Sequence, residues 1–340
     1  MLANNHSRNR TRNGWTTILA WLVVVTLLLS GCGAQTPKTY RVGILSGVDA
    51  FASIADGFKA KMTELGYVEG KNVVYDVQKV NADPAGEKQA LNKFVADKVD
   101  LIFAFPTDSA VAAKAAIQGT SIPVVFAFAN LEGVDLVKSV REPGGNITGV
   151  RYPGPDLAIK RFEILMQLAP QAKRLWITYD ANYPATKSAL EALRPATSAA
   201  GVTLVEAPVT SVADIQADLQ ARAASGDIGM DAILIMPEVL SQSPDGWAAI
   251  SKFAAEHKVP IAGSAGFEAD QGALFSYIPD NVETGRLAAP LADKILKGTQ
   301  AGTIPVVTPE SRLRINYKLV QQLGLTAPEG LLGQASEVIR

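Results

Sequence analysis

The chain has 340 residues, with 32 Lys and Arg against 33 Asp and Glu, 48% hydrophobic residues, two histidines and one cysteine. A net charge of -1 excludes the basic stripe that nucleic-acid binding needs, and a single cysteine excludes a disulfide framework within the chain. So few histidines and thiols leave no zinc site and no Cys-His or Ser-His-Asp constellation with a spare member.

The first element is a targeting segment. Arg8, Arg10 and Arg12 stand without an acid beside them, an apolar run extends from Trp15 to Leu29, and Leu29-Ser30-Gly31-Cys32 leads into the polar stretch Gly33 to Lys38. A basic head, a short apolar middle and small residues at the end predict an export signal over residues 1–31. The apolar middle is too short and wrongly flanked for a spanning helix. The Leu-Ser-Gly-Cys tetrad resembles the bacterial lipobox, which implies a diacylglyceryl group on the Cys32 thiol and cleavage before that residue. Each buried lipid methylene contributes roughly 0.8 kcal/mol, so several acyl chains on one residue hold a protein firmly. The alternative is an uncleaved N-terminal anchor helix. Either way the body is expected outside the cytoplasm, tied to the membrane through residues 32–39. Cleavage removes three arginines and no acid, leaving 29 Lys and Arg against 33 Asp and Glu, a net charge near -4. No second long apolar run follows, so a soluble body is expected.

That body alternates short apolar runs with amphipathic stretches. Arg41 to Leu45 reads as a strand, Ser53 to Leu65 as a helix closed by Gly66, and Asn72 to Val77 as a strand. Pro84 to Val95 is a helix with proline in its first turn. Asp100 to Phe105 is a strand apolar enough to be buried on both faces. Ser109 to Ile117 is an alanine-rich helix and Ile122 to Phe128 a strand.

The pattern restarts after Gly149 and Val150, where Pro153, Gly154 and Pro155 break the chain. Helices are expected at Asp156 to Leu168, Ala185 to Ala200, Val212 to Ala224 and Trp247 to His257. Between them lie strands at Leu175 to Tyr179, Val202 to Val205, Ala232 to Met236 and Pro260 to Ala262. Such alternation predicts parallel sheets joined by right-handed crossovers, and two series of similar length predict two similar α/β lobes. A strand at Ala273 to Tyr277, a helix at Val282 to Leu296, an extended Ile304 to Val307 and a helix at Tyr317 to Leu323 complete the chain. A third half-series cannot fold alone, so the chain is expected to return to the first lobe and cross back. The expected division is 40–150 plus 279–306 for lobe 1 and 151–278 plus 307–340 for lobe 2. Linkers then fall near Val150 to Pro153, Ile278 to Asp280 and Val307 to Pro309.

Ligands of open α/β sheets sit at the carboxyl ends of strands, beside helix N-termini. That rule selects Ser46, Asp49 and Phe51 after the first strand, Thr107, Asp108 and Ser109 after the third, and Asn130 after the fourth. From the second series it selects Asp180, Tyr183, Glu238, Ser264 and Phe267. Thr107 and Ser109 can bond a ligand beside a helix end that favours an anion, or Thr107 or Asp108 can merely cap that helix. Asn130 offers a donor and an acceptor, or closes an Asx-turn. Asp180 and Glu238 are the candidates to neutralise a ligand cation; each can instead be a loop charge or a helix cap. Phe51, Tyr183 and Phe267 can enclose an apolar part or simply fill core, and Tyr152 sits at the first linker. No Walker loop and no dinucleotide fingerprint is present, so no cofactor is expected.

Five stretches in order carry a family resemblance: Glu64 to Val73 (Glu-Leu-Gly-Tyr-Val-Glu-Gly-Lys-Asn-Val); Asp100-Leu101-Ile102 with Thr107 to Ala110; Ile122-Pro123-Val124-Val125-Phe126; Pro143-Gly144-Gly145-Asn146-Ile147-Thr148-Gly149-Val150; and Gly272-Ala273-Leu274 with Gly285-Arg286 and Ile295 to Gly298. Behind a lipobox, they resemble the bacterial ABC-transporter substrate-binding lipoproteins, the group that includes tryptophan- and tyrosine-type amino-acid binders. The resemblance implies a type I periplasmic-binding-protein fold, with two Rossmann-like lobes, a three-segment hinge and ligand in the cleft between them. Two positions depart from the family: Asn130-Leu131 stands where an Asp-Pro pair is usual, and Ser264-Ala265-Gly266 where an acid often follows the strand. The implied function is capture of a small polar ligand, an amino acid or related compound, by hinge closure, with ABC permease subunits as partners. The protein is expected to be a monomer and not an enzyme. The alternatives are a ligand-sensing lipoprotein for a membrane receptor, or a cleft hydrolase using Asp180 and Glu238.

Overall fold

Side-chain alternation along short strands builds both sheets. The computed structural model describes residues 38–340, and the signal segment with Cys32 lies outside them. Strands β1 (Tyr40–Ser46), β2 (Val73–Lys79), β3 (Leu101–Phe105), β4 (Val124–Ala129) and β5 (Ile147–Arg151) form a parallel sheet in the order β2-β1-β3-β4-β5. Successive residues of a strand point to opposite faces. Leu101, Phe103 and Phe105 therefore enter one core cluster, while Ile102 and Ala104 enter another. All five are fully buried, as a strand covered by helices on both sides must be.

The second sheet contains β6 (Arg174–Asp180), β7 (Thr203–Val209), β8 (Ala232–Leu234), β9 (Ile261–Gly263), β10 (Phe275–Pro279), β11 (Ser311–Asn316) and β12 (Glu337–Ile339), in the order β12-β11-β10-β9-β8-β6-β7. The protein is thus an α/β protein with two lobes. One pair departs from the parallel expectation: β10 and β11 run antiparallel, with Pro279 opposite Ser311. The chain leaves the sheet at Pro279 and re-enters beside the same end, so the returning strand must run the other way. The sequence pattern missed β11 and β12. Both are short, and Ser311 to Asn316 carries two arginines, so neither shows a clean apolar run.

Helices α1 (Ser53–Glu64), α2 (Pro84–Ala96) and α3 (Thr107–Ala116) accompany the first sheet. Helices α4 (Gly154–Leu168), α5 (Pro184–Ala199), α6 (Val212–Ala223), α7 (Val239–Gln242) and α8 (Pro244–His257) accompany the second. Between β10 and β11 lies α9 (Asn281–Leu296), followed by the short helices α10 (Tyr317–Gln322) and α11 (Glu329–Leu332) after β11. Among the described residues, no helix is long and apolar enough to cross a membrane.

Helix α9 belongs by packing to the first sheet. Ala288, Ala289, Leu291, Ala292 and Ile295 share a core cluster with Ile54, Phe58 and Met62 of α1. Two glycines permit the contact. A Cβ on Gly57 would lie 1.9 Å from the Val282 carbonyl oxygen, and one on Gly285 would lie 2.0 Å from that of Ile54. The segment after α9 is held in the same manner. Gly302 lies against the Pro143-Gly144-Gly145 turn, Gly144 N–H donates to the Gly302 carbonyl at 3.0 Å, and both turn glycines take positive φ. The chain then runs beside the end of β5, where Val307 bridges Val150, before joining the second sheet. It therefore passes between the sheets after β5, after β10 and near Val307.

Because backbone atoms block both Cβ positions, Gly57→Ala and Gly285→Ala should each lower the unfolding free energy by about 1–3 kcal/mol, as overpacking does. Gly330→Ala, whose Cβ meets nothing within 4 Å, should leave it nearly unchanged. Thermal melts of the three variants beside the parent make the comparison.

Candidate functional site

The carboxyl ends of both sheets carry the residues selected from sequence. In lobe 1, α3 begins at Thr107, directly after Pro106, and no side chain caps it. Its first amide groups thus keep their partial positive charge. Thr107 is buried, and its Oγ1 accepts from Asn130 N at 3.1 Å and Asn130 Nδ2 at 3.4 Å. Asn130 Oδ1 has no hydrogen-bond partner among the described residues and rests against Gly154 at the start of α4. Ser46 Oγ, at the end of β1, is also buried without a partner. Ser109 turns the other way: its hydroxyl donates to Glu87 of α2, so it is tied to the helix layer. Asp49 is exposed, and its N–H reaches Asn81 Oδ1 at 3.5 Å.

Asp108 stays accessible, yet enough protein surrounds its carboxyl for burial to raise its pKa. That combination describes a group on the wall of a concavity. From lobe 2, Tyr183 feels its charge. The Tyr183 phenol is pushed up first by burial and then by the charges of Asp108, Tyr152 and Glu238. Glu238 is buried and raised by desolvation, with Asp180 adding a like charge. Tyr183 thus feels charge from Asp108 of lobe 1 and from Glu238 of its own lobe.

Local bonds limit what some members can do. Both Glu238 oxygens accept backbone N–H groups, Oε2 from Leu240 at 2.6 Å and Oε1 from Ser241 at 2.7 Å. The residue is the N-cap of α7, a four-residue helix that the apolar pattern is too short to reveal. Asp180 Oδ1 accepts from Asn182 N at 2.8 Å, closing an Asx-turn. Ser264 is fully buried, with Oγ accepting from Gln242 Nε2 at 2.7 Å. Phe267 is 37% exposed at the rim, edge-on to Trp247 at 5.9 Å.

Phe51 faces Phe128, and Phe128 faces Tyr152, at centroid distances of 4.6 and 4.7 Å. Phe128 reaches this position through a backbone irregularity. The β4–β5 register shifts between Ala127 and Ala129, and Phe128 has φ +52°. Val125 and Ala127 face the cluster that contains Phe51 and Tyr152, and Val124, Phe126 and Ala129 face the opposite one. Regular alternation would send Phe128 away from Tyr152; the bulge turns it toward that residue. A bulky residue at positive φ costs about 1–3 kcal/mol and persists only where its surroundings fix it.

Two charged residues outside the selected set underlie the lobe 2 side. Arg161 of α4 and Glu268, in the loop after β9, are both fully buried. Glu268 Oε2 accepts the N–H of Ala265 at 2.8 Å and that of Ser264. An acid does stand four residues beyond Ser264, but it is buried and folded back under its own loop. Arg161 falls on the apolar face of α4, among Leu157, Leu165 and Leu168, and that placement was the one sequence signal that could have singled it out.

Burial pushes the Glu268 carboxyl up to about 7, against the opposing pull of its two backbone bonds and of Arg161. The folded protein then holds this proton more tightly than the unfolded chain, whose ordinary value is 4.5. The stability contribution is full below the unfolded value and is lost as pH rises through about 7, by roughly 3 kcal/mol. Glu268→Gln should remove that slope. Melting temperatures at pH 5, 6, 7 and 8 should show the variant gaining on the parent as pH rises, and parallel profiles would contradict the assignment.

Comparison with known proteins agrees with this geometry. A family model described as ABC transporter substrate binding protein matches residues 42–339. The chain is 30% identical over 299 residues to the tyrosine-binding protein of Clostridioides difficile (strain R20291), covering 86% of this chain and 83% of that one. It superposes with TM-score 0.78 and 26% identity on an ABC domain from Streptococcus pneumonia in complex with L-Trp, covering 89% and 100% of the two chains. The TM-score is 0.71, at 26% identity and 88% and 99% coverage, for the ligand-free, open structure of a substrate binding protein with adhesive properties from Clostridium difficile. Such proteins work outside the cytoplasm. With two α/β lobes and a family match along nearly all of the described residues, the chain belongs to the ABC transporter substrate binding proteins.

Proposed function

We propose that this protein captures an amino acid with an aromatic side chain, of the tyrosine or tryptophan kind, for an ABC importer, and that it is held to the membrane by lipid on Cys32. The observation that carries the reading is the exposed Asp108 in the first turn of α3, a helix start without a side-chain cap. Carboxylates in a partly desolvated wall attract an ammonium group. The uncapped N-terminus of α3 suits the carboxylate of the same molecule. Tyr183 and Phe267 supply ring surface. The ligand names of the relatives at 30% and 26% identity support the same class.

The mechanism is hinge closure. A ligand that touches both lobes binds the closed form better than the open one and shifts the population by that difference. Asp108 remains exposed, whereas both Glu238 oxygens are spent on the start of α7. Asp108 and Asp180 are accordingly the carboxylates assigned to the ammonium, and Thr107 and Asn130 position the first lobe's wall.

Titration calorimetry of the purified protein with L-tyrosine and L-tryptophan tests the reading. At 100 times the dissociation constant a ligand adds about 2.7 kcal/mol of stability, visible as a thermal shift. Asp108→Asn should weaken binding about tenfold or more, at the 1.5–3 kcal/mol scale of a charge-assisted bond, with the unliganded melting temperature preserved. Binding of neither amino acid would overturn the proposal. For the anchor, Cys32→Ala should abolish incorporation of labelled palmitate and release the protein from membranes.

A further inference from the structure

We propose that Arg161 is a positioning residue of the cleft: without touching the ligand, it ties the loop that begins at Ser264 to two of the places where the chain passes between lobes. The ligand part of this inference rests on the function proposed above. The guanidinium is fully buried and donates to three separate segments. Nη2 reaches Tyr152 Oη at 3.0 Å and the Ser264 carbonyl at 3.2 Å, and Nε reaches the Tyr277 carbonyl at 2.9 Å. Tyr152 lies just after β5, where the chain first leaves lobe 1. Tyr277 lies in β10, just before the chain leaves lobe 2. Ser264 opens the loop that carries Phe267 to the rim.

The chemistry is specific to arginine. A planar fork with five donors can serve acceptors in different directions, whereas an ammonium on a flexible stem serves one point. Burying a cation beside two carbonyls and a phenol is costly, so a residue that only filled space here would be apolar. Nearby, Glu268 grips the Ser264 and Ala265 N–H groups, and Arg161 pulls its pKa down against the effect of burial. The loop is therefore held by its carbonyl from Arg161 and by its amides from Glu268. On the far side, the Tyr152 ring lies against Phe128, and Phe128 against Phe51. One hydroxyl thus joins the aromatic stack of lobe 1 to the cation of lobe 2, and the strained φ of Phe128 aims that stack at it.

Coupling through such a chain of contacts must be measured, because adjacency alone does not establish it. The experiment is hydrogen exchange by mass spectrometry on the unliganded protein, for Tyr152→Phe, Arg161→Lys and the double variant. Tyr152→Phe removes a single oxygen, yet exchange at the Ser264 and Ala265 amides should rise about fivefold, with exchange in α1 and α2 unchanged. Arg161→Lys should raise it about tenfold or more, and adding Tyr152→Phe to it should change it less than about twofold, as expected for residues acting in one network. The proposal is overturned if Tyr152→Phe leaves those amides at the parent's rate, if the two effects multiply, or if exchange rises evenly across both lobes. Should Arg161→Lys fail to fold, the Tyr152→Phe result decides alone. Calorimetry with L-tyrosine forms the second arm, where Arg161→Lys should weaken affinity about tenfold, and parent-like affinity would remove the link to binding. If the parent binds no amino acid, the proposed function fails, and the exchange arm still judges Arg161.

Discussion

The close crossing of α1 and α9 at Gly57 and Gly285 is the constraint on which the architecture depends. With Val282 and Ile54 carbonyls about where Cβ atoms would stand, the two helix backbones meet directly. The apolar residues of α9 then complete the first lobe's core. A segment that follows ten strands in sequence is thereby pulled back across the cleft. The return forces β11 to run antiparallel to β10, and it makes the link between lobes a set of parallel passages rather than a single tether. Several passages side by side permit bending and resist twisting, the mechanical property that the proposed closure needs.

The same passages set the chemistry of the cleft. Tyr152 stands at one of them with its ring against lobe 1 and its hydroxyl on Arg161. Lobe 2 offers carboxylates whose bonds are largely internal: Glu238 caps α7 and Glu268 underpins the Ser264 loop. Lobe 1 offers a helix end without a side-chain cap and an accessible Asp108. Rigid acid on one side and open groups on the other accord with the zwitterionic ligand proposed above, which carries both signs within a few ångströms.

Much of the fold was legible because its signals are local. Apolar runs such as Leu101 to Phe105, proline at the first turn of α2 and glycine after α1 each speak within a few residues. The loops at strand ends followed from the fold class, and among their residues Tyr183 feels the charges of Asp108 and Glu238. The exceptions are equally physical. Ser109 reads as a cleft hydroxyl until α2 brings Glu87 against it. The carboxylate of Glu268 lies four residues beyond Ser264, and no spacing reveals its burial. Residues 311–316 and 337–339 are strands because neighbours pair with them, since their own pattern is too short and too charged.

The sequence by itself determined the succession of elements, the two lobes and the kinship with substrate-binding proteins, because periodicity and turn chemistry act between near neighbours. Only the tertiary structure decided which polar groups face the cleft and which hold the protein together. Phe128 turns to the other face of its sheet through a one-residue bulge, and Arg161 joins segments more than a hundred residues apart. Hydrogen-bond partners and burial are set by what the folded chain brings within 3 Å, and nothing in the order of residues records that distance.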